Sequence, residues 1–480
     1  MSKYFNYFRW LGAPTVMPSN SAADTKRKSQ QTNAGSTAIS KGRNTLIVPR
    51  DVDDRQRLFK SLAFDATVYG LPAYLQYKEM YRQAIDRASA SYSGFNAFVH
   101  ERNLAGPGYA AFKVPNSDTL YSTAWIDLSR SPVEILVPPV GLKYYTLNIF
   151  DMFGNPSNLG TRTIGSGGGR FLLVSPTWKG KIPRGLTLFR GSTPHLWVLM
   201  RVFAQTESEI AQAHRFQDDV KILPRGERAL DQTPIPVPPA PGTTAADFFR
   251  ALDFILCVDH HLPGEDALVA RFQALGLLGA GDFDPTILDR DSLEAMAQGH
   301  QEAMTLTRNA RPQLGTSTSA GWMRVEKGSY GFNYLRRAVT NLAGLGANVP
   351  EENSSFTTFV DERGVVLDGA ACSYRLKLTK PPLVDAFWSV TLYDARTFEL
   401  FPNSMRRYLI SDRTSGLKIA ADGSIDIAMQ HGPAMEGNWL PAPQGPFFVV
   451  IRSYLPRPEM LNGEWLPPPI RREPSPVDLQ

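Results

Sequence analysis

The sequence predicts an α+β chain, mainly β with helices, in which two β-sandwiches are joined by a helical stretch. Two observations carry this reading. Short apolar runs of period two, cut by Gly, Pro, Asn and Asp, occur in two separate regions. Between and before those regions the apolar period lengthens to that of a helix.

From Asp54 to Ala90, residues such as Leu58, Leu62, Ala66, Tyr69, Tyr77 and Met80 fall at helical spacing, and Pro72 predicts a break into two helices. Strands follow at Leu120–Leu128, Val133–Val137, Tyr144–Phe150, Arg170–Ser175, Thr187–Phe189 and Trp197–Phe203. Short strands at this spacing favour a sandwich over a doubly wound sheet. Helical patterns then occupy Glu207–Asp219, Ala245–Val258, Ala267–Leu277, Ser292–Thr307 and Gly331–Leu345, with a proline-rich connector at Pro234–Pro241. The second β region offers Thr357–Val360, Ser373–Leu378, Phe387–Tyr393, Leu417–Ala420, Ser424–Gln430 and Phe447–Tyr454. Asp422-Gly423 reads as a tight hairpin turn between the fourth and fifth of these.

A chain of 480 residues is too long for one core, and 42% hydrophobic with 20% charged residues is globular composition. No run approaches the roughly 18–20 apolar residues of a spanning helix. The net charge of +5 sits at the start: residues 1–50 hold eight basic groups against Asp24 alone, and the rest of the chain has 43 basic and 45 acidic groups. A basic nucleic-acid footprint is therefore missing from the body. The tail lacks the apolar run of a secretory signal, so the expected compartment is cytoplasmic, with a mitochondrial presequence as the alternative. Cys257 and Cys372 make neither a disulfide framework nor a metal knuckle and read as buried thiols.

Several chemical signatures fail on inspection. Gly165-Ser166-Gly167-Gly168-Gly169 runs into the strand Arg170–Val174, so these glycines form a turn and not a phosphate loop. The same segment lacks the spacing of a serine nucleophile elbow. His260 and His261 are adjacent, which directs them apart, and Glu265 and Asp266 read as the N-terminal cap of the next helix. No metal and no cofactor are expected.

Three strings in the first β region, Pro115-Asn116-Ser117-Asp118-Thr119-Leu120-Tyr121-Ser122, Trp125-Ile126-Asp127-Leu128 and Gly160-Thr161-Arg162-Thr163, closely resemble the N-terminal member of a pair of domains of unknown function numbered 1254 and 1214. Asp385-Ala386-Phe387-Trp388-Ser389-Val390-Thr391-Leu392-Tyr393-Asp394 and Asn438-Trp439-Leu440-Pro441-Ala442-Pro443 resemble the C-terminal member. The resemblance implies an immunoglobulin-like β-sandwich, a helical insert and a jelly-roll-like β-sandwich. It implies no settled reaction. Ser117 and His195 stand where the family usually has Asn or an Asn-like residue, and many members begin with an export signal. The expected division is a disordered basic tail over 1–50, a helical lead-in over 51–110, the N-terminal sandwich over 111–205, a helical region over 206–350 and the C-terminal domain over 351–480.

The candidate site gathers on the Pro115–Tyr121 turn. Asp118 and Tyr121, with His100 from the preceding loop, are the candidate acid–base groups. His195, His214, His300 and His431 are the other bases considered. Asn116, Arg162, Asp151, Trp388 and Tyr393 are candidate substrate contacts. Arg162 suits a carboxylate because its planar fork meets one bidentately, whether on a substrate or as a pair with Asp118 or Asp151. Trp388 and Tyr393 are five apart on a strand and so face opposite sides.

Two function classes stay open. One is an enzyme acting by metal-independent acid–base chemistry on a small, largely apolar metabolite in a cleft between the sandwiches. The alternative is a non-catalytic carbohydrate- or lipid-binding module. Either takes a small-molecule ligand, no nucleic acid and no membrane span, with a homo-oligomer as an option.

Overall fold

The computed structural model describes residues 47–109, 114–225, 236–318, 320–325, 328, 330–433 and 437–473. The basic tail expected over 1–50 falls almost wholly outside these residues. A long helix, α1 (Val52–Met80), begins on Asp51, whose carboxylate accepts from the Asp54 N–H at 3.0 Å. The helix runs through Pro72 without the predicted break. Packing explains this: Gly70, Leu71, Pro72, Ala73 and Tyr74 are all buried, and a Cβ on Gly70 would meet Leu252 at 2.7 Å. A neighbouring helix seated against this turn offsets the hydrogen bond that proline cannot make.

The N-terminal sandwich follows, as β1 (Val99–His100), β2 (Thr119–Asp127), β3 (Val133–Val137), β4 (Tyr145–Asp151), β5 (Pro156–Gly160), α2 (Thr161–Ile164), β6 (Gly169–Val174), β7 (Thr187–Arg190) and β8 (His195–Phe203). Helix α3 (Glu207–Asp219) is closed by a Thr206–Glu209 capping box, and β9 (Lys221–Pro224) returns to the sandwich. One sheet has the order β1-β2-β8-β4-β5, the other β7-β6-β3-β9. Leu120, Ala124 and Ile126 of β2 and Val198, Met200 and Val202 of β8 meet Val133, Ile135, Phe171 and Leu173 across the interior.

The insert supplies α4 (Ala245–Val258), α5 (Asp266–Arg271), α6 (Arg290–Ala310) and α7 (Tyr334–Ala343). Tyr121, Trp125, Phe150, Trp197 and Leu199 on the outer face of the first sheet pack into this helical layer. That sheet is thus buried on both faces, and β4 shows no exposed position. Glu265 stands at the N-terminus of α5, but its carboxylate takes the Tyr69 hydroxyl at 2.8 Å and Arg337 Nη1 at 3.3 Å instead of capping the helix. Arg337 also lies over the rings of Tyr69, Phe153 and Tyr334 at 5.1–5.4 Å, which ties the helices to the β4–β5 turn.

The C-terminal sandwich comprises β10 (Gly315–Ser317), β11 (Met323–Val325), β12 (Asn353–Thr358), β13 (Tyr374–Leu378), β14 (Val384–Asp394), β15 (Leu409–Ser411), β16 (Ile425–Gln430), β17 (Asn438–Pro441), β18 (Phe447–Pro456), α8 (Pro458–Leu461) and β19 (Arg471–Arg472). Its sheets run β10-β11-β12-β18-β14-β15 and β17-β16-β13-β19. The architecture is the α+β arrangement of two sandwiches and a helical insert that the sequence predicts. Leu417–Ala420 is not a strand, because Lys418 finds both backbone partners on the Asn438 side chain, at 2.8 and 2.9 Å. The Asp422-Gly423 turn forms, with Ala420 N donating to Ser424 O at 2.9 Å, but it joins a loop to β16. Cys257 and Cys372 are unpaired and partly exposed, against the expectation of burial. No described helix is long and apolar enough to cross a membrane.

His195, at the start of β8, holds the end of α4. Its Nδ1 lies 3.0 Å from Asp259 Oδ1, its backbone N–H donates to the same oxygen at 2.9 Å, and its Nε2 is 3.8 Å from Asp127. Burial alone would lower its pKa, yet Asp259 and then Asp127 more than offset that and raise it to about 9. The native state therefore holds an extra proton between the unfolded value near 6.5 and 9. The pair's stabilisation is complete below pH 6.5 and lost as pH rises through 9, an effect on the order of 3 kcal/mol. Urea unfolding from pH 6 to 10 should show that loss in the wild type and a flatter profile in His195→Asn. Parallel profiles would mean that this pair does not carry the proton.

Candidate functional site

The outer face of the β12-β18-β14 sheet carries a transverse polar row. Ser355, Arg452, Ser389 and Ser411 lie at matching register on β12, β18, β14 and β15. Arg452 ends the apolar run Phe447–Ile451, and its side chain leaves the sheet toward the N-terminal sandwich. There Nη2 donates to the Val114 carbonyl at 3.0 Å, and Nη1 donates to the Tyr393 hydroxyl at 2.8 Å. Tyr393 in turn donates to the Pro115 carbonyl at 2.6 Å. Asn116 Nδ2 donates to the Tyr454 hydroxyl. The Pro115–Tyr121 turn is thereby pinned across the seam between the sandwiches.

Asp118 sits inside this arrangement with no exposed surface. Neither of its carboxylate oxygens receives a well-formed hydrogen bond. Asn116 Oδ1, Ser117 Oγ, Thr119 Oγ1 and Thr391 Oγ1 are buried as well. Burial pushes the Asp118 carboxyl up to about 6, while the nearby Ser389 hydroxyl, Arg452 and Asn116 ease its ionisation. Burial likewise pushes Tyr393 up to about 12 against the pull of Arg452, and it drives Tyr454 well up. Arg201 Cζ lies 5.8 Å over the Tyr121 ring, and Arg201 Nη2 donates to Gly346 O at 2.9 Å. The backbone is strained at the same place. Val114, Phe398 and Leu455 have φ of 57°, 61° and 51°, and Val114 N donates to Phe398 O. Left-handed non-glycine residues of this bulk persist where surrounding contacts over-determine them.

Of the residues expected from sequence, Asn116, Asp118, Tyr121 and Tyr393 come together here. His100 does not. It lies beside Ser122, with Nδ1 2.8 Å from the hydroxyl, on the face of β2 opposite Tyr121, where Gln217 also bonds Ser122. Burial and Arg102 hold its pKa below the usual value. Arg162 pairs neither Asp118 nor Asp151. Its Nε meets the fully buried Glu352 at 2.8 Å, and the Tyr144 hydroxyl takes the other Glu352 oxygen at 2.9 Å. Asp151 closes its own turn, accepting from Phe153 N at 2.9 Å and from Asn155. Trp388 packs in the interior of the C-terminal sandwich, on the far side of β14 from Tyr393. The residues that meet between the sandwiches form a polar cluster flanked by Tyr144, Phe203 and Phe387.

Sequence reasoning passed over Arg452, Tyr454, Arg201, Ser389 and Glu352. A signal was present for the two arginines: each is the lone charge in a strand of apolar residues, at Trp197–Phe203 and Phe447–Tyr454. Among the described residues no three His, Cys, Asp or Glu side chains converge as a metal site would need.

Comparison with known proteins places these elements. Residues 95–224 match the family described as a protein of unknown function, DUF1254, and residues 352–458 match DUF1214. The chain carries both members of this pair, in that order. The VPA0106 protein from Vibrio parahaemolyticus has the same fold, with a TM-score of 0.68 and 23% identity over 87% of this chain and 100% of its own. An uncharacterised protein from Burkholderia cenocepacia aligns with a TM-score of 0.40 and 14% identity over 89% of this chain and 90% of its own. No curated protein matches.

The raised Asp118 pKa fixes a sign. The native state keeps this proton up to about pH 6 and the unfolded state only to about 3.8, so its contribution is present below 3.8 and lost as pH rises through 6. Asp118→Asn should remove that loss and be more stable than wild type at pH 7.5, by on the order of 3 kcal/mol. A variant equally destabilised at pH 7.5 would show that the carboxylate holds the seam.

Proposed function

We propose that the chain is an enzyme acting on a small polar metabolite, with Asp118 as the group that takes and returns a proton. One observation supports this reading: a fully buried carboxyl, with the Ser389 hydroxyl, Arg452 and Asn116 as its polar neighbours, held near a pKa of 6. A general base works best when its pKa lies near the operating pH, and perturbed carboxylates concentrate at functional sites.

The neighbours have chemically distinct parts. Arg452 stays charged at any physiological pH and stabilises negative charge on Asp118 or on a substrate oxygen. The Tyr454 hydroxyl accepts from Asn116, so its own proton is directed elsewhere. Tyr393 is committed to the Pro115 carbonyl and serves to orient Arg452. Tyr121 lines the cluster under Arg201. His100, Asp151 and Trp388 have no part in this reading, since their contacts lie elsewhere. Arg162 acts through Glu352 and Tyr144 as a positioning residue. A polar ligand suits this cluster better than the largely apolar metabolite expected from sequence, since Trp388 and Phe447 pack in the C-terminal core.

The test is turnover of a pooled metabolite extract followed by mass spectrometry, comparing wild type with Asp118→Asn and Arg452→Lys after circular dichroism shows each is folded. Species consumed by wild type should persist with Asp118→Asn and fall at least a hundredfold more slowly with Arg452→Lys, which loses the two-pronged contact. Equal consumption by all three would end the proposal. Ligand-dependent rises in melting temperature without consumption would instead mark a binding module.

A further inference from the structure

A cavity of about 390 Å³, within the size range of small-molecule sites, lies where the two sandwiches and α3 meet. The approach to β4 contributes Leu142 and Lys143, the start of α3 contributes Ser208, Glu209 and Gln212, and the turn after β15 contributes Arg413. Phe203, at the end of β8, also lines it. The wall thus joins residues of both sandwiches, and domain junctions are a favoured place for ligands.

The wall has two kinds of surface. Leu142 and Phe203 are apolar and buried. The rest is polar, and its titratable members are Lys143, Arg413 and Glu209, two cations against one carboxylate. Glu209 is already engaged: Oε1 accepts from Arg413 Nη2 at 3.0 Å, and Oε2 accepts from the Gln205 and Thr206 N–H groups at 3.1 and 3.0 Å. The cations are not used up in the same way. Arg413 gives Glu209 a single donor, Lys143 gives Asp412 Oδ2 a single donor at 2.6 Å, and guanidinium and ammonium groups have others to spare. The Arg413 and Lys143 side chains are 44% and 29% exposed. Ion pairs of this kind contribute little, so sharing these cations with a ligand costs little. Gln212 adds an amide, and the first turn of α3 adds the positive end of a helix dipole.

The geometry points to a binding site for a small organic monoanion, a carboxylate head on a short apolar body, that bridges the two sandwiches. The head meets Arg413, whose planar fork matches a carboxylate, with Lys143 as the second cation. The body covers Leu142 and Phe203. One negative charge matches the excess of one cation in the wall, whereas inorganic phosphate has no apolar part to cover those two side chains. Because Lys143 and Arg413 belong to different sandwiches, the bound anion joins them at a place separate from the Arg452 contacts. The site makes no use of Asp118, and its test is independent of turnover.

Hexanoate is the probe, titrated by calorimetry at fixed ionic strength, with hexylammonium, hexanol and inorganic phosphate in parallel. Hexanoate should bind saturably and at least tenfold more tightly than each of the other three. Arg413→Gln should weaken it at least tenfold. Gly141→Phe is the second variant, should the first disturb the domain junction. Gly141 lines the cavity, and a Cβ there would meet only Gln212 Nε2, at 3.7 Å, so a side chain fits and fills the space while every ion pair stays. This variant should abolish hexanoate binding with its circular dichroism unchanged. Any of the other probes binding as tightly as hexanoate overturns the ligand class. No saturable binding, or binding that survives either variant in folded protein, overturns the site.

Discussion

The seam between the sandwiches depends on one guanidinium. Arg452 projects from the middle of a C-terminal strand, and two of its acceptors, the Val114 carbonyl and the Tyr393 hydroxyl, lock it against the loop of the other sandwich. A buried cation that cannot lose its proton must keep such partners or cost several kcal/mol. Meeting that demand fixes the carbonyl of a left-handed valine, sets the path of Pro115 through Tyr393, and delivers Asp118 to a place with no exposed surface. The perturbed carboxyl is thus a consequence of where Arg452 reaches.

A second buried arginine organises the opposite side. Arg337 and Glu265 hold the helical layer to the β4–β5 turn, and the outer face of the N-terminal sheet finds its cover in those helices. Gly70 permits the close approach of Leu252 that this layer requires. Residues from Arg50 onward accordingly form one unit, since neither the sheet nor the helices have a complete core alone.

What the sequence made legible follows from what each pattern encodes. Period-two runs located most strands, because half of each strand faces a sandwich interior even where the other half is also buried. Propensity failed at Pro72, where packing on both sides carries the helix through, and at Leu417–Ala420, where an asparagine side chain stands in for a neighbouring strand. The Asn116–Tyr121 turn was readable as a concentration of polar residues at a strand start. Arg452, Tyr454 and Ser389 were not, since they lie more than 250 positions away and only sheet register aligns them. His100 illustrates the converse: closeness in sequence put it near the turn, while the pleat of β2 sends its partner Ser122 to the other face.

The case for chemistry at Asp118 is sharpened by the other buried acids. Asp253 receives backbone N–H groups from Gly279, Gly281, Asp282 and Phe283, Glu134 receives Arg170 and Arg225, and Glu352 receives Arg162 and Tyr144. Asp151, Asp259, Glu265 and Asp361 each have at least one well-formed partner. These are carboxylates used to hold structure, and each is satisfied because an unpaired buried charge is expensive. Asp118 differs from them: it is fully buried, and its polar neighbours are the Ser389 hydroxyl, Asn116 and the Arg452 guanidinium. Strained backbone lies beside it, at Val114 on one side of the seam and Phe398 and Leu455 on the other. Its polar neighbours ease ionisation without cancelling the cost of burial, which leaves the carboxyl near a pKa of 6.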